Sequence, residues 1–316
     1  MEQRDNMICI VGPTASGKTA LSVRLAQALG GEIVSFDSMQ VYRRMDIGTA
    51  KPTAEEMDGI PHHMIDVADP GEDFSAARYV EMASACVDGI LARGRLPIVA
   101  GGTGLYVDSL LSGRTFAAFS PDSPLRGELE AELARRGGAA MLEELARVDP
   151  ETAARLHPND HKRIVRALEV FRSTGRTISQ HDRETRALPP RYDALTIGLT
   201  FRERADLWAR IDRRVDQMAR DGLEAEVRGL LSSGLPRTCT AMQAIGYKEF
   251  VAAVDGQISW KEAEELVKLR SRQYAKRQLT WFRRREGTQW ITWEKEPDFG
   301  TARRRSTEFI REAGLG

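Results

Sequence analysis

A chain of 316 residues, 41% of them hydrophobic, is long enough to bury one full core with an inserted region besides. Its 46 basic and 46 acidic side chains cancel, so only their distribution, not the total, can argue for a nucleic-acid partner. No run approaches the roughly 18 apolar residues of a membrane span, and the charged start MEQRDN is unlike a signal peptide, so no membrane partner is expected. Cys9, Cys86 and Cys239 are odd in number and far apart, which suits reduced thiols in a cytoplasmic protein and excludes a C-x-x-C zinc module.

The first apolar run, Met7–Val11, predicts a strand, with Cys9 as a small core residue. GPTASGKT follows at once and fits the pattern G-x-x-x-x-G-K-[ST]. Gly12 and Gly17 let Pro13, Thr14, Ala15 and Ser16 curl so that backbone N–H groups face an anion. Lys18 adds a point charge for a terminal phosphate, and the Thr19 hydroxyl is placed to ligate Mg²⁺. Leu21, Leu25 and Leu29 mark one buried face of a helix over Lys18–Leu29 that Gly30-Gly31 closes, so the anion meets a helix N-terminus. Such a loop normally announces an ATP- or GTP-binding protein.

Further strands are predicted at Glu32–Phe36, Leu96–Ala100, Ala194–Thr200 and Gln289–Trp293, with helices at Ala76–Arg93 and Tyr106–Leu111. The alternation predicts an α/β fold, a parallel sheet flanked by helices. From about Phe116 to Tyr192 the chain is rich in Ala, Glu, Leu and Arg and has no convincing strand. Bounded by Ser120-Pro121 and Leu188-Pro189-Pro190, it reads as an all-helical insertion domain, 116–192, within a core of 1–115 and 193–316.

Ligands of open α/β sheets lie beyond the carboxyl ends of the strands, so Asp37-Ser38 and Gly101-Gly102-Thr103-Gly104 should converge on the phosphate loop. Asp37 could hold Mg²⁺, act as a general base, or simply cap a turn. Thr103 could cap the next helix or donate to an anion. Charge is unevenly spread. Between Leu266 and Arg285 there is no acidic residue, while eight basic side chains interleave with Tyr274, Trp281 and Phe282. His161–Arg176 reads as an amphipathic helix with Ile164, Leu168 and Phe171 on one side and Lys162, Arg163 and Arg166 on another. Either stretch is a solvated face or a surface for a phosphodiester backbone and stacked bases.

GPTASGKT, FDSMQVYRRMDIGTAKP, GIPHHMIDV, VAGGTGLY, RIVRALEVF, AIGYKE and RQYAKRQLTWFR occur in that order from Ile8 to Arg284. Together they resemble the tRNA dimethylallyltransferases, or tRNA isopentenyl transferases. The resemblance implies a P-loop NTPase-like core and transfer of a dimethylallyl group from dimethylallyl diphosphate. The acceptor is the exocyclic N6 amine of the adenine immediately 3′ of the anticodon, in tRNAs reading codons that begin with U. The loop Gly12–Thr19 then holds a diphosphate leaving group, with Mg²⁺ on Thr19 and Arg214 as a further diphosphate contact. Asp37 matches the catalytic aspartate that takes the proton of the amine, and Thr103 the threonine near diphosphate and target nucleotide.

By the same pattern Asp37, Ser38, Met39 and Gln40 contact tRNA around the adenine. Arg126, Lys162, Arg163 and Arg166 grip the anticodon stem-loop from the insertion. Ile164-Val165 stand where some relatives carry a more polar pair, which leaves the basic neighbours as the tRNA contacts. His62-His63 belong to the motif but are assigned loop packing rather than chemistry. The chain ends without the Cys/His module that eukaryotic members append, which suggests a bacterial-type enzyme without structural zinc, sufficient as a monomer. Two rivals share the same loop: a small-molecule or nucleoside kinase using ATP, and an RNA-binding switch that senses nucleotide without catalysis.

Overall fold

The computed structural model describes residues 6–113, 124–187 and 189–314. They cluster into two compact units, Met1–Leu111 with Arg191–Gly316, and Ser112–Pro190. The expected boundary at Phe116 and the Ser120-Pro121 marker lie outside the described residues.

The larger unit is built on six parallel strands: β1 (Asn6–Val11), β2 (Gly31–Phe36), β3 (His62–His63), β4 (Leu96–Gly101), β5 (Asp193–Phe201) and β6 (Gln289–Trp293). Their order across the sheet is β3-β2-β4-β1-β5-β6. Alternation in β1 explains the layering: Met7, Cys9 and Val11 join one apolar cluster, Ile8 and Ile10 the other, all fully buried. Helix α1 (Lys18–Leu29) packs Leu21 and Leu25 on the second face and ends at Gly30 in the left-handed conformation, whose N–H donates to the Ala26 carbonyl. After the short α2 (Ala54–Met57), α3 (Ala76–Ala92) and α4 (Gly104–Leu111) cover the first face through Tyr79, Val87, Val107 and Leu110.

The strand β3 is absent from the sequence expectation. Its two residues pair with Ile33 and Val34 of β2. The His63 ring meets Glu32 at 2.7 Å and His62 Nδ1 lies 2.8 Å from the Ile60 carbonyl oxygen. The other strands extend one residue beyond expectation at several ends because partners continue there: Gly101 lies opposite both Phe36 and Val11.

The second unit holds α5 (Pro124–Val148), α6 (Pro150–Ala153), α7 (His161–Thr174) and α8 (Ile178–Ala187), and no strand among its described residues. Gly137 (φ 79°, ψ 161°) breaks α5 into two pieces that fold over Leu129, Met141 and Leu145. Ile164, Val165 and Leu168 of α7 complete this core, so the apolar Ile164-Val165 pair packs inward. Buried Asp149 ties the unit together by accepting from the backbone N–H of Thr152 (3.0 Å) and Ser179 (3.1 Å).

Back in the larger unit, α9 (Arg204–Arg220), α10 (Leu223–Ser232), α11 (Tyr247–Val254), α12 (Trp260–Phe282) and α13 (Phe299–Glu312) complete the coat. A capping box of Ser259 and Glu262 starts α12. No helix among the described residues is long and apolar enough to cross a membrane.

Candidate functional site

Because β2, β4 and β1 are neighbours in the sheet, the loops after their carboxyl ends meet at one place. Gly12 (φ 154°) and Gly17 (φ 88°) turn the loop after β1, and Ala15 (φ 62°) joins them in the left-handed half of backbone space. Lys18 opens α1 and its Nζ donates to the Pro13 carbonyl at 2.8 Å. The loop is braced from the far end of the chain. Trp293 Nε1 donates to the Ser16 carbonyl (2.9 Å), and the Phe299 ring lies close under Gly17.

Asp37 follows β2. Its Oδ1 accepts from the backbone N–H of Met39 (2.8 Å) and Gln40 (3.3 Å), an Asx-type turn that carries Ser38, Met39 and Gln40 past the strand end. Thr103 follows β4, and its Oγ1 accepts from the Ser38 backbone N–H at 3.1 Å. Gln278 of α12 links the other pair of loops. Its Oε1 accepts from Thr14 N–H (2.9 Å) and its Nε2 donates to the Gly102 carbonyl (2.9 Å), with the side chain buried. Gln40 Nε2 reaches the carbonyls of Thr49 (3.3 Å) and Ala50 (3.1 Å). Arg214 of α9 spans Thr14 Oγ1 and the Ala50 carbonyl, each at 3.4 Å.

These residues enclose two adjoining cavities. One is polar, with Lys18, Thr19, Ser35, Gln40, His62 and Gln278 in its wall. The other is largely apolar, with Met39, Ile211, Val215, Met218, Ile245 and Val267. Thr14, Asp37, Thr49, Arg214 and Tyr274 line both, so the Asp37 carboxylate stands at the junction. Enclosure, and then Arg214 nearby, push the Lys18 ammonium down to about 7, while Asp37 pulls it the other way. Burial lowers Arg214 too, against the pull of Asp37 and Glu56. Burial and the Asp37 charge raise the Tyr274 phenol to about 12, keeping it a proton donor beside Thr103 and Gln278. The site is therefore poised for anions on one side and an apolar guest on the other.

The expected residues Gly12 to Thr19, Asp37 to Gln40, Thr103 and Arg214 are thus brought together within one unit. Arg126, Lys162, Arg163 and Arg166 lie in the other unit. There Lys162 and Arg163 are exposed on α7, whereas Arg126 (3.5 Å) and Arg166 (2.8 Å) both pair with the buried Glu169. The acid-free basic stretch on α12 is partly neutralised in space: Lys268 pairs with Asp216 (2.6 Å) and Arg272 with Asp212 (3.3 Å), both on α9. Its exposed remainder includes Lys276, Arg277, Trp281 and Arg284, which line one surface hollow. No group of three or more His, Cys, Asp or Glu able to hold a metal occurs among the described residues. His62 lines the polar cavity with a buried Nε2 that has no hydrogen-bond partner. Sequence reasoning missed Gln278 and Tyr274 as site residues. Their i, i+4 spacing in RQYAKRQ, which sets both on one helix face, was the available signal.

Residues 40–285 match the family model described as IPP transferase. The chain is 52% identical to a tRNA dimethylallyltransferase of Symbiobacterium thermophilum, over 96% of this chain and 93% of that one. It is 48% identical to that of Halalkalibacterium halodurans, over 91% of each. Among solved structures, the full-length tRNA isopentenylpyrophosphate transferase from Bacillus halodurans superposes with a TM-score of 0.72 at 42% identity, covering 99% of this chain and 98% of that one. A eukaryotic dimethylallyltransferase acting on tRNA superposes with a TM-score of 0.84 at 30% identity, over 98% of this chain and 80% of that one. Fold, loop and extent of match agree, and the chain belongs to the IPP transferase family.

Proposed function

We infer that this protein transfers a dimethylallyl group from dimethylallyl diphosphate to the N6 amine of the adenine 3′ to the anticodon, in tRNAs reading codons that begin with U. The observation that carries the reading is the position of Asp37, between a cationic polar cavity and an apolar one. The wall of that second cavity, with Ile211, Val215, Met218, Ile245 and Val267, suits a branched hydrocarbon, and the relatives are named for prenyl transfer, not phosphorylation.

In this reading the amides at the head of α1, Gly17 to Thr19, with the Lys18 ammonium and Arg214, take the diphosphate and meet the charge that grows on it as the allylic C–O bond breaks. Thr19, exposed at the head of α1, offers one hydroxyl to Mg²⁺. That sparse donor set suits an ion that keeps its waters and takes phosphate oxygens. When bound, Mg²⁺ supplies further neutralisation of the leaving group. The adenine nitrogen attacks the allylic carbon, the N–C bond forms as C–O breaks, and Asp37 accepts the proton from nitrogen. Met39, Ile245 and Val267 keep water from the cationic carbon. Thr103, tied to Ser38, holds the loop that Asp37 begins. The free cysteines suit the cytoplasm.

Incubating the protein with labelled dimethylallyl diphosphate, Mg²⁺ and an anticodon stem-loop RNA is expected to label the RNA without ATP. An unlabelled RNA with folded protein would overturn the reading.

Lys18 gives a pH signature. A bound diphosphate favours the charged ammonium, so affinity should be highest near pH 7 and fall by up to about tenfold per unit between pH 7 and 9. Titration calorimetry in buffers of different ionisation heat should register proton uptake at pH 8. In the free protein the lowered pKa costs stability below about 7, and the cost fades as pH rises toward 10.5.

On the insertion, replacing exposed Lys162 and Arg163 with alanine should weaken RNA binding and flatten its salt dependence by about one to two counterions, with stability unchanged. Filter binding across a salt series measures the slope. An unchanged slope returns both to a solvated face.

A further inference from the structure

Apart from Ile245, the stretches MDIGTAKP and AIGYKE hold no group that the chemistry above uses, yet they meet in space. The link is Glu226 of α10. Its Oε2 accepts from the backbone N–H of Asp46 and Ile47, both at 2.8 Å. Its Oε1 accepts from Gly48 N–H at 3.1 Å and from the Tyr247 hydroxyl at 2.5 Å. Three successive amides turned toward one point form an anion nest, and here the anion is a side chain of the protein itself. The bonds are charge-assisted and so among the stronger ones available.

Tyr247, fully buried at the head of α11, completes the arrangement by shape. A Cβ on residue 48 would lie 2.5 Å from its ring carbon Cε2, so only glycine lets the loop close on the tyrosine. Burial and then the Glu226 charge push the phenol far above its usual range, so it stays a donor.

The loop so held is a wall of the site. Gly48 and Thr49 line the apolar cavity, and Thr49 lines the polar one. The carbonyls of Thr49 and Ala50 receive Gln40, and that of Ala50 receives Arg214. The half-buried cation contributed by α9 therefore takes part of its position from a loop whose own position is set by α10 and α11.

We propose that Glu226 and Tyr247 are positioning residues, a latch that fixes residues 46–50 and through them aims Arg214 at the diphosphate of the donor. The proposal rests on the assignment of the polar cavity to diphosphate. Its test is Glu226→Gln, with Tyr247→Phe as the milder variant. Glutamine keeps one acceptor oxygen but turns an NH₂ toward backbone donors, while phenylalanine keeps the ring and removes only the hydroxyl.

Two measurements are made on each full-length variant: amide hydrogen exchange, and titration with inorganic diphosphate and with dimethylallyl diphosphate, in Mg²⁺. For Glu226→Gln the expected result is faster exchange confined to residues 46–48, strand amides of β1 and β4 as protected as before, and about tenfold weaker binding of both ligands. Tyr247→Phe should move both readouts in the same direction by less. Faster exchange at 46–48 with affinities held within about twofold would overturn the proposal, as would amides no less protected than in the parent. Neither readout needs RNA or turnover, so a failure of prenyl transfer leaves this result standing on its own.

Discussion

Asp37→Asn is expected to lower single-turnover transfer to RNA by about 10²- to 10⁴-fold, the usual worth of a positioned base, while donor affinity stays within about twofold. The asparagine oxygen can still accept from Met39 and Gln40, so the turn after β2 persists and only the basic function is lost. An adenine amine is a poor nucleophile that becomes acidic only as it alkylates, so a carboxylate beside it acts chiefly in the transition state. Rapid-quench transfer with labelled donor, beside calorimetric titration of the same donor, separates the two quantities. An equal loss of donor binding would make Asp37 a metal or structural group instead.

Gln278→Leu should have the second largest effect. Leucine fills nearly the same volume but leaves the Thr14 N–H and the Gly102 carbonyl without the partners they have now. Stranding such buried groups costs about 1–3 kcal/mol each, so the melting midpoint should fall by several degrees. Donor affinity should fall by at least about tenfold, because the phosphate loop loses its tie to the loop after β4. Gln278→Glu is no rescue: one oxygen can accept from Thr14, but the other would face the Gly102 carbonyl oxygen. Thermal unfolding and donor titration check both variants. A protein in which either change leaves donor affinity intact would show that the two loops hold themselves.

The parallel sheet was legible because its strands are buried on both faces and read as short apolar runs, as Met7–Val11 does. The phosphate loop was legible because Gly, Lys and Thr spacing is local chemistry. What could not be read is what depends on distant backbone. The two residues of β3 have no periodicity, and their strand exists only through Ile33 and Val34. Gln278 serves an amide 264 positions away and Glu226 serves amides about 180 positions away. A buried glutamine or half-buried glutamate on an amphipathic helix carries no mark of such a task. Arg214 could be read from its helix as an ordinary surface arginine, and its enclosure comes from Thr14 and the loop at Ala50. The partial neutralisation of α12 is hidden from its own sequence for a related reason: its counter-charges, Asp212 and Asp216, belong to another helix.

The brace at Ser16 and Gly17 has a meaning for how the protein comes into being. β1 is made first, yet it lies in the middle of the sheet and pairs with β4 and β5, and the loop beyond it leans on Trp293 and Phe299. A growing chain on the ribosome folds its early parts first, but the surface this loop rests on emerges almost last. The full brace of the phosphate loop is thus acquired near the end of synthesis, and a truncated chain that had lost only its final strand and helix would have every phosphate-binding residue without the rest at Ser16 and Gly17.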